Sequence, residues 1–154
     1  MANSVMAGQE NIRFQRIALE QGLSQEVILS AFQDQDGFMW FGTQEGLNRF
    51  DGYQFKVYTH SIRQKNSLSS DWIYSINESA DGKLWVGTLD GLNLFDSSTQ
   101  TFTQFKHNSL DPKSISNNKV RVIYKDQSNT IWLGTHDGLN KFNPSSNDFS
   151  RYDR

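Results

Sequence analysis

The sequence predicts an all-β protein, a partial β-propeller of three four-stranded antiparallel blades plus one extra N-terminal strand. A twelve-residue segment that begins at Trp40 returns at Trp85 and at Trp132, and seven of its positions are identical in all three copies. The copies are 45 and 47 residues apart, which is the period of propeller blades. The segments between them lack the apolar spacing of a helix. The period and the strand-like pattern together predict the blades.

Each copy divides into four strands, A to D. Strand A is a near-continuous apolar run, typical of a strand covered on both faces. We predict it at Val27–Phe32, Trp72–Ile76 and Val120–Tyr124. A turn follows, at Asp36-Gly37, Asp81-Gly82 or Ser128-Asn129. The first two dipeptides are strong signals for a two-residue type I′ hairpin turn, which needs positive φ at both positions.

Strand B carries the repeated tryptophan, and a second turn leads into strand C, whose pattern is Leu-Asn-x-Phe. The second turns are Glu45-Gly46, Asp90-Gly91 and Asp137-Gly138. Strand D has the alternating side-chain pattern of a strand. Its aromatic pairs are Phe55 and Tyr58, Phe102 and Phe105, and Phe149 and Tyr152. Each blade therefore has a complete set of four strands.

The predicted organisation begins with a disordered N-terminal segment, residues 1–11. A lone outer strand follows at residues 12–22, with Phe14 and Ile17 at the aromatic positions. The blades then cover residues 23–67, 68–114 and 115–154. Propellers have about 4–8 blades, so three do not close a ring. We therefore expect a fragment of a longer protein whose remaining blades are its partners, and which self-associates when isolated.

A residue repeated in every blade most plausibly serves packing. Trp40, Trp85 and Trp132 are predicted to wedge between adjacent sheets. Gly42, Gly87 and Gly134 are predicted to give the backbone room for that ring or for a tight bend. Asn48, Asn93 and Asn140 are predicted to fix a local backbone hydrogen bond.

Composition argues against several classes of protein. The net charge is −2 and the 15 basic residues are scattered singly, whereas nucleic-acid binding normally needs a basic face. The chain has no Cys, which excludes disulfides and thiolate metal sites. No apolar run is long enough to span a bilayer. The polar segment Met1–Asn11 lacks signal-peptide features, so the protein is either cytoplasmic or has lost a leader.

The residues indicate no catalytic site, no metal site and no cofactor. Asp34–Gly37 resembles the start of an EF-hand loop, but Phe32 and Thr43 stand where that loop requires acids. The acids of the second turns recur in phase and are interpreted as turn residues. No Gly-x-Ser-x-Gly motif is present. The three histidines form no metal-ligand pattern; they are His60, His107 and His136.

Ligand contacts are expected where the copies differ, on loops. The loop before strand A carries a different polar pair in each blade. The candidate ligand-facing residues are Gln25 and Glu26, Ser70 and Asp71, and Asn117 and Asn118. The alternative is that they are ordinary solvated loop residues.

Three segments of the sequence resemble the two-component regulator propeller repeat: Gly22–Ser24, Asp36–Thr43 and Gly46–Tyr53. The stretch Phe14–Ser24 also resembles the opening of such a sensor just after its leader. The resemblance implies a non-catalytic, periplasmic sensory fragment of a bacterial transmembrane receptor with a small-molecule or glycan ligand. The output domain of such a receptor is a histidine kinase, often hybrid, or a GGDEF diguanylate cyclase.

Two other functions stay open. One is a scaffold for protein–protein assembly, as in WD-type propellers. The other is a propeller lyase, because the Gly-x-x-Trp-x-x-Thr rhythm is loosely similar to antibiotic-inactivating lyases. Such an enzyme needs a general base over the funnel, and no His or acid here departs from the repeat pattern.

Overall fold

The computed structural model describes residue 13, residues 15–16 and residues 19–152. These residues contain one 3-10 turn and twelve strands. Blade 1 is β1 (Ser30–Gln33), β2 (Met39–Gly42), β3 (Leu47–Phe50) and β4 (Phe55–Tyr58). Blade 2 is β5 (Ile73–Glu78), β6 (Leu84–Thr88), β7 (Gly91–Asp96) and β8 (Thr101–Phe105). Blade 3 is β9 (Val120–Lys125), β10 (Ile131–Thr135), β11 (Gly138–Asn143) and β12 (Asp148–Tyr152).

Each blade is a separate antiparallel sheet in which consecutive strands are neighbours. The fold class predicted from the sequence is confirmed. Because the strands alternate in direction, the A–B and C–D turns lie at the same end of the strands in each sheet. This end of each sheet is here called the turn edge. The B–C turns and the connections between blades lie along the opposite edge, here called the connection edge.

The first strand A differs from its prediction. Val27, Ile28 and Leu29 precede β1, which starts at Ser30, and all three side chains are exposed. The prediction rested on their apolar character, because an apolar strand A is buried when a blade packs against each of its faces. Among the described residues no blade covers this side of blade 1, although Leu29 N already donates to Gly42 O at 2.8 Å.

The predicted type I′ turns between strands A and B are wrong. Gly37 has φ 88° and Gly82 has φ 80°, but neither Asp36 nor Asp81 has a positive φ. In blade 1, Gly37 N donates to Asp34 O and Asp34 N donates to Phe38 O, each at 3.0 Å. This pattern is a three-residue loop that needs one left-handed residue. Asn129, at φ 61°, takes the position in blade 3.

The predicted lone outer strand is partly beyond the described residues, since Phe14 and Ile17 both lie outside them. At its end, Leu19–Gln21 form the 3-10 turn, so this part of the segment 12–22 is not a strand. Gly22 closes the turn by donating from its N to Leu19 O at 2.9 Å.

The core consists of two clusters, one in each seam between blades. The cluster between blades 1 and 2 contains Trp40, Leu47, Tyr58, Leu68, Ile73, Ile76, Leu84, Val86, Phe95 and Phe102. The cluster between blades 2 and 3 contains Trp85, Leu92, Ile115, Val120, Ile123, Ile131, Leu133 and Phe149. The tryptophans of blades 1 and 2 thus pack against the following blade. Its ring contacts a phenylalanine of the next strand C, Trp40 with Phe95 at 5.5 Å and Trp85 with Phe142 at 4.8 Å.

In blades 1 and 2 the strand B glycine makes room for strand A of its own blade and of the next blade, and not for the tryptophan ring as expected: an added Cβ would first meet Ser30 Oγ at Gly42 and Ser75 Oγ at Gly87. A Cβ on Gly87 would lie 2.8 Å from Val120 O, in strand A of blade 3. A Cβ on Gly42 would lie 2.6 Å from Ile73 Cγ2, in strand A of blade 2. At Gly134 the nearest atom is Val122 Cβ at 3.5 Å, within the same blade.

Candidate ligand-binding surfaces

A buried polar network at the connection edge holds every blade together. In blade 2, Ser69 N donates to Asn93 Oδ1 at 2.9 Å and Asn93 Nδ2 donates to Ser69 Oγ at 2.8 Å. Ser69 Oγ also lies 3.0 Å from Thr88 Oγ1, which donates to Gly91 O at 2.9 Å. The network ties the incoming connection to strands B and C, so the Asn acts across the blade rather than only locally.

The same network recurs in the other two blades. Its members in blade 1 are Ser24, Thr43 and Asn48, and those in blade 3 are Ser116, Thr135 and Asn140. All three asparagines are fully buried. A buried amide that keeps its hydrogen bonds fixes one geometry, because any slip would leave a polar group unpaired.

The six candidate ligand-facing residues lie directly after the serine of this network. In the connection to blade 2, Ser70 Oγ accepts from Trp72 N at 3.2 Å and Asp71 Oδ1 accepts from His60 N at 2.5 Å. In the connection to blade 3, Asn117 Oδ1 accepts from Lys119 N at 2.8 Å and Asn118 Oδ1 accepts from His107 N at 2.6 Å. These four side chains therefore cap backbone N–H groups.

The pair before blade 1 is bonded as well. Gln25 Oε1 accepts from Gln44 N at 3.2 Å, and Glu26 forms an exposed ion pair with Arg16 at 3.2 Å. The six residues share the connection edge. Their ligand role stays a prediction, and their hydrogen bonds give each of them a structural role.

The acids of the second turns also lie at the connection edge. Asn118 Nδ2 donates to Asp90 Oδ1 at 3.1 Å and Asn117 Nδ2 donates to Asp137 Oδ2 at 2.7 Å. Asp90 also pairs with Lys106 at 2.5 Å. Among the described residues, no three His, Cys, Asp or Glu side chains are placed to hold a metal ion. Two histidines instead brace the connections, with Nδ1 atoms 2.6 Å from Leu68 O for His60 and 2.8 Å from Ile115 O for His107.

The turn edge has a second repeated polar contact, which one blade lacks. Trp40 Nε1 donates to Asp34 Oδ2 at 2.7 Å in blade 1, and Trp132 Nε1 donates to Asp126 Oδ2 at 2.9 Å in blade 3. The Trp132 hydrogen bond is the main cause that lowers the pKa of Asp126, followed by the bond from Thr130 N. Blade 2 has Ser79 at this position, and Trp85 Nε1 is buried without a hydrogen-bond partner among the described residues.

The clefts at the turn edge differ accordingly. The cleft between blades 1 and 2 has a volume of about 180 Å³ and is lined by Asp34, Trp40 and Arg49, among others. The equivalent cleft between blades 2 and 3 has a volume of about 610 Å³, and its lining includes Ser79 and Trp85. Because Ser79 and Leu94 stand at the positions of Asp34 and Arg49, the second cleft lacks two charged side chains that line the first.

One carboxylate is buried at the turn edge between blades 1 and 2. Glu78, at the end of β5, accepts from Gln35 N of the blade 1 turn at 3.1 Å. Burial is the largest influence on this group and raises its pKa, while the bond from Gln35 N acts in the opposite direction. Glu78 joins two blades, and among the described residues it forms no ion pair with a basic side chain.

The repeat, the seams and the network together define a protein built of propeller blades. Three segments of the chain match the model of the two-component regulator propeller, residues 22–45, 67–90 and 114–137, one in each blade. These ranges contain, in each blade, strand A, the turn that follows it and the strand B tryptophan.

Comparisons with individual proteins agree with this family. The chain is 32% identical to a structure described as the extracellular domain of the hybrid two-component system BT3049 from B. thetaiotaomicron, with a TM-score of 0.83. That match covers 90% of this chain and 20% of the other. The chain is also 37% identical over 67 residues to histidine kinase P4 of Formosa agariphila, covering 44% of this chain and 5% of the kinase. The chain therefore spans a small part of each relative.

Virginiamycin B lyase from Staphylococcus aureus has the same fold but a distant sequence. The identity is 14% and the TM-score 0.61, over 82% of this chain and 41% of the lyase. A likeness at this identity shows shared propeller architecture and carries no activity with it.

The sequence analysis missed two features, the serine of the buried network and the replacement of aspartate by Ser79. The network serine stands 24 residues before the asparagine in every copy, at Ser24, Ser69 and Ser116. The substitution at Ser79 was also visible, since the other copies have Asp34 and Asp126 there. The structural role of neither feature can be inferred until the strands are placed beside one another.

Proposed function

We propose that this chain is part of the extracytoplasmic sensor region of a bacterial two-component receptor with a histidine kinase as its output domain. The observation that carries the proposal is the match to the extracellular domain of a hybrid two-component system over 90% of the chain. The match to a histidine kinase agrees with this output. A diguanylate cyclase is the alternative output implied by the family resemblance, and no relative described above favours it.

The proposed role is binding and not catalysis. The polar groups of the connection edge are engaged in hydrogen bonds that hold the blades, as with Asp71 and Asn118. A ligand that bridges two blades would favour one arrangement of the seam over another, and this differential affinity is what a receptor needs to change state. A scaffold for protein assembly is the competing function, and it differs in requiring no coupling to a membrane-bound output domain.

The proposed location is the periplasm, with the remaining blades of the receptor as partners. Within the part of the chain that the structure describes, no helix has the length and apolar character to cross a bilayer. The partner proposal rests on the outer face of blade 3. Leu139 is 42% exposed there, while its equivalents Leu47 and Leu92 are fully buried against the next blade.

Cysteine labelling in cells tests the location. The chain has no Cys, so Ile62→Cys in the full receptor adds one thiol to this region, on a side chain that is 91% exposed. We expect a membrane-impermeant maleimide to label it before the inner membrane is lysed. Leu68→Cys, at a fully buried position of the same connection, is the matched control and should stay unlabelled in the folded protein. Labelling of Ile62→Cys only after lysis would place the blades in the cytoplasm and reject the proposal.

A signalling assay tests the loop prediction. The six candidate residues are replaced by alanine, two at a time, in the full receptor. Loss of the response at normal receptor abundance supports a ligand role for the connection edge. An unchanged response would reject that role, and these residues would then serve only to cap backbone N–H groups.

A further inference from the structure

Both seams between blades are built from the same two half-surfaces. The earlier blade contributes the first half, which consists of its strand B tryptophan and glycine and its strand C leucine. The later blade contributes the second half, which consists of an apolar residue at the start of strand A and a phenylalanine of strand C. The members are Trp40, Gly42 and Leu47 with Ile73 and Phe95 in the first seam, and Trp85, Gly87 and Leu92 with Val120 and Phe142 in the second. The repeat therefore shows which surface each half requires as its partner.

Blade 3 has an unpartnered copy of the first half, the outer face formed by Trp132, Gly134 and Leu139. Leu139 is 42% exposed and the Trp132 ring is partly exposed, whereas their equivalents in both seams are at most 1% exposed. A Cβ added to Gly134 would lie 3.5 Å from Val122 of the same blade and would meet no further blade among the described residues. The space that strand A of a following blade fills in the two seams is open here.

Blade 1 has an unpartnered copy of the second half, here called its open face and formed by Ile28, Phe50 and Phe55. Ile28 is 40% exposed, whereas its equivalents Ile73 and Val120 are fully buried. Phe50 and Phe55 are partly exposed and stack on each other at 4.7 Å. The phenylalanines at their positions in blade 2 are at most 5% exposed. The chain thus carries both halves of one more seam.

The backbone of the two faces is complementary as well. Gly46 N donates across the first seam to Asp71 O at 2.8 Å, and Gly91 N donates across the second to Asn118 O at 2.7 Å. The residues at the equivalent positions of the two open faces are Gly138, on blade 3, and Glu26, before blade 1. A seam between these faces would therefore have the same donor and the same acceptor.

A seam of this kind would not bury a charge. Lys141 has its Nζ 5.9 Å from the centre of the Trp132 ring and stands at the position of Arg49. Arg49 is partly exposed and lines the cleft at the turn edge of the first seam. The existing seam therefore already accommodates a cation at this position.

We propose that two copies of this chain associate head to tail into a six-bladed ring, in which Ile28 of each copy packs against Trp132 and Gly134 of the other. Propellers have about 4–8 blades, and six is the multiple of three in that range. Two identical head-to-tail contacts close the ring, so neither face stays open. The ring is a property of the 154-residue chain and does not rest on the proposed receptor function. In a longer receptor, neighbouring blades would cover the same two faces.

The mass of the chain in solution tests the ring. Size-exclusion chromatography with light scattering at micromolar concentration should give twice 17.7 kDa. Because the ring is closed, the mass should not rise further when the concentration is raised.

Two variants each block one face. Ile28→Lys blocks the open face of blade 1 and Leu139→Lys blocks the outer face of blade 3. Both side chains are exposed in a single copy, so each variant should fold, as circular dichroism will show, and each alone should be a monomer. Val27→Lys is the matched control and should leave the two-copy species intact, because its equivalent in blade 3 is the exposed Lys119.

An equimolar mixture of the two variants decides which faces meet. Ile28→Lys keeps the outer face of blade 3 and Leu139→Lys keeps the open face of blade 1, so one contact can form between them. The mixture should regain a two-copy species, at a concentration about tenfold or more above that needed by the unmodified chain. The reason is that only the closed ring gains a second, intramolecular contact.

Four results would overturn the proposal. A folded monomer of the unmodified chain means that a second copy does not cover these faces. A two-copy species that persists in Ile28→Lys means that two blade 3 faces meet each other. A mass that grows with concentration beyond two copies means that the contact forms an open chain. A mixture that stays monomeric means that the two blocked faces are not partners. If Leu139→Lys fails to fold, Val122→Lys on the same face, at a side chain that is 56% exposed, takes its place.

Discussion

Ser69 and Asn93 exchange two hydrogen bonds, at 2.9 and 2.8 Å, across the buried connection edge of blade 2. They join the connection from blade 1 to strand C of blade 2, so the same pair that completes one blade also fixes its neighbour. The repetition of this contact in all three blades makes it the clearest structural purpose of the Gly-Leu-Asn motif.

Asn93→Ala should therefore be strongly destabilising. The change removes both bonds and leaves Ser69 N buried and unpaired, for an expected loss of roughly 2–4 kcal/mol in the free energy of unfolding. Urea denaturation followed by tryptophan fluorescence measures the loss. Thr103→Ala, at an exposed position of β8, is the control and should change stability by less than about 0.5 kcal/mol. A loss below 1 kcal/mol for Asn93→Ala would contradict the structural role of the network.

Gly87→Ala and Gly134→Ala form a matched pair. At Gly87 the new Cβ meets Ser75 Oγ of the same blade at 2.5 Å and Val120 O of blade 3 at 2.8 Å, whereas at Gly134 its nearest neighbour is 3.5 Å away. We expect a loss of about 1–3 kcal/mol for Gly87→Ala, the usual cost of overpacking. Gly134→Ala should be close to neutral in the isolated chain. Equal effects in denaturant titrations would show that the glycine serves the blade itself and not the seam.

The isolated chain should self-associate through the outer face of blade 3. Val122, Tyr124 and Leu139 are exposed on this face around Trp132, and contiguous apolar surface of this kind favours association. Leu139→Lys should shift the distribution towards monomer in size-exclusion chromatography with light scattering. Leu110→Lys, at a loop position that is 91% exposed, is the control and should have no effect. A folded monomer of the unmodified chain at micromolar concentration would refute this prediction.

Acid should weaken the fold partly through Asp96. Hydrogen bonds from Ser98 Oγ and N, and then from Lys83, lower the pKa of Asp96 from 3.8 to about 2. A carboxyl whose pKa is lower in the folded state stabilises above its unfolded pKa, and the contribution is lost as the pH falls from 3.8 towards 2. Asp96→Asn should therefore lower the Tm at neutral pH, with the difference from the unmodified chain shrinking as the pH falls through this window. Ser98→Ala removes the largest cause and should reproduce part of the effect; a Tm difference independent of pH would contradict it.

The sequence was sufficient to predict the blades because their period and aromatic pattern belong to each copy separately. It placed the strand B tryptophans correctly, yet it assigned Val27–Leu29 to a strand, since apolar residues look alike whether or not a neighbouring blade covers them. It also assigned room for a ring to Gly42 and Gly87, although this room is taken by strand A atoms of the same blade and of the next blade. Contacts between copies depend on how the sheets stack, which a single repeat does not encode.

The cleft beside Trp85 shows the same distinction. The exchange of aspartate for Ser79 could be read by aligning the copies, but its consequence depends on the position of the Trp85 N–H. The sequence-based search looked for variable polar pairs on the connection edge. The unpaired Trp85 N–H lies on the turn edge, where strands A and B meet.

Fractionation of source cells determines whether these blades are part of a membrane-bound receptor. An antibody raised against this chain is used to blot the membrane and soluble fractions. For a receptor we expect a band far above 17.7 kDa in the membrane fraction. A soluble band near 17.7 kDa would mean a free-standing three-blade protein and would contradict the receptor assignment.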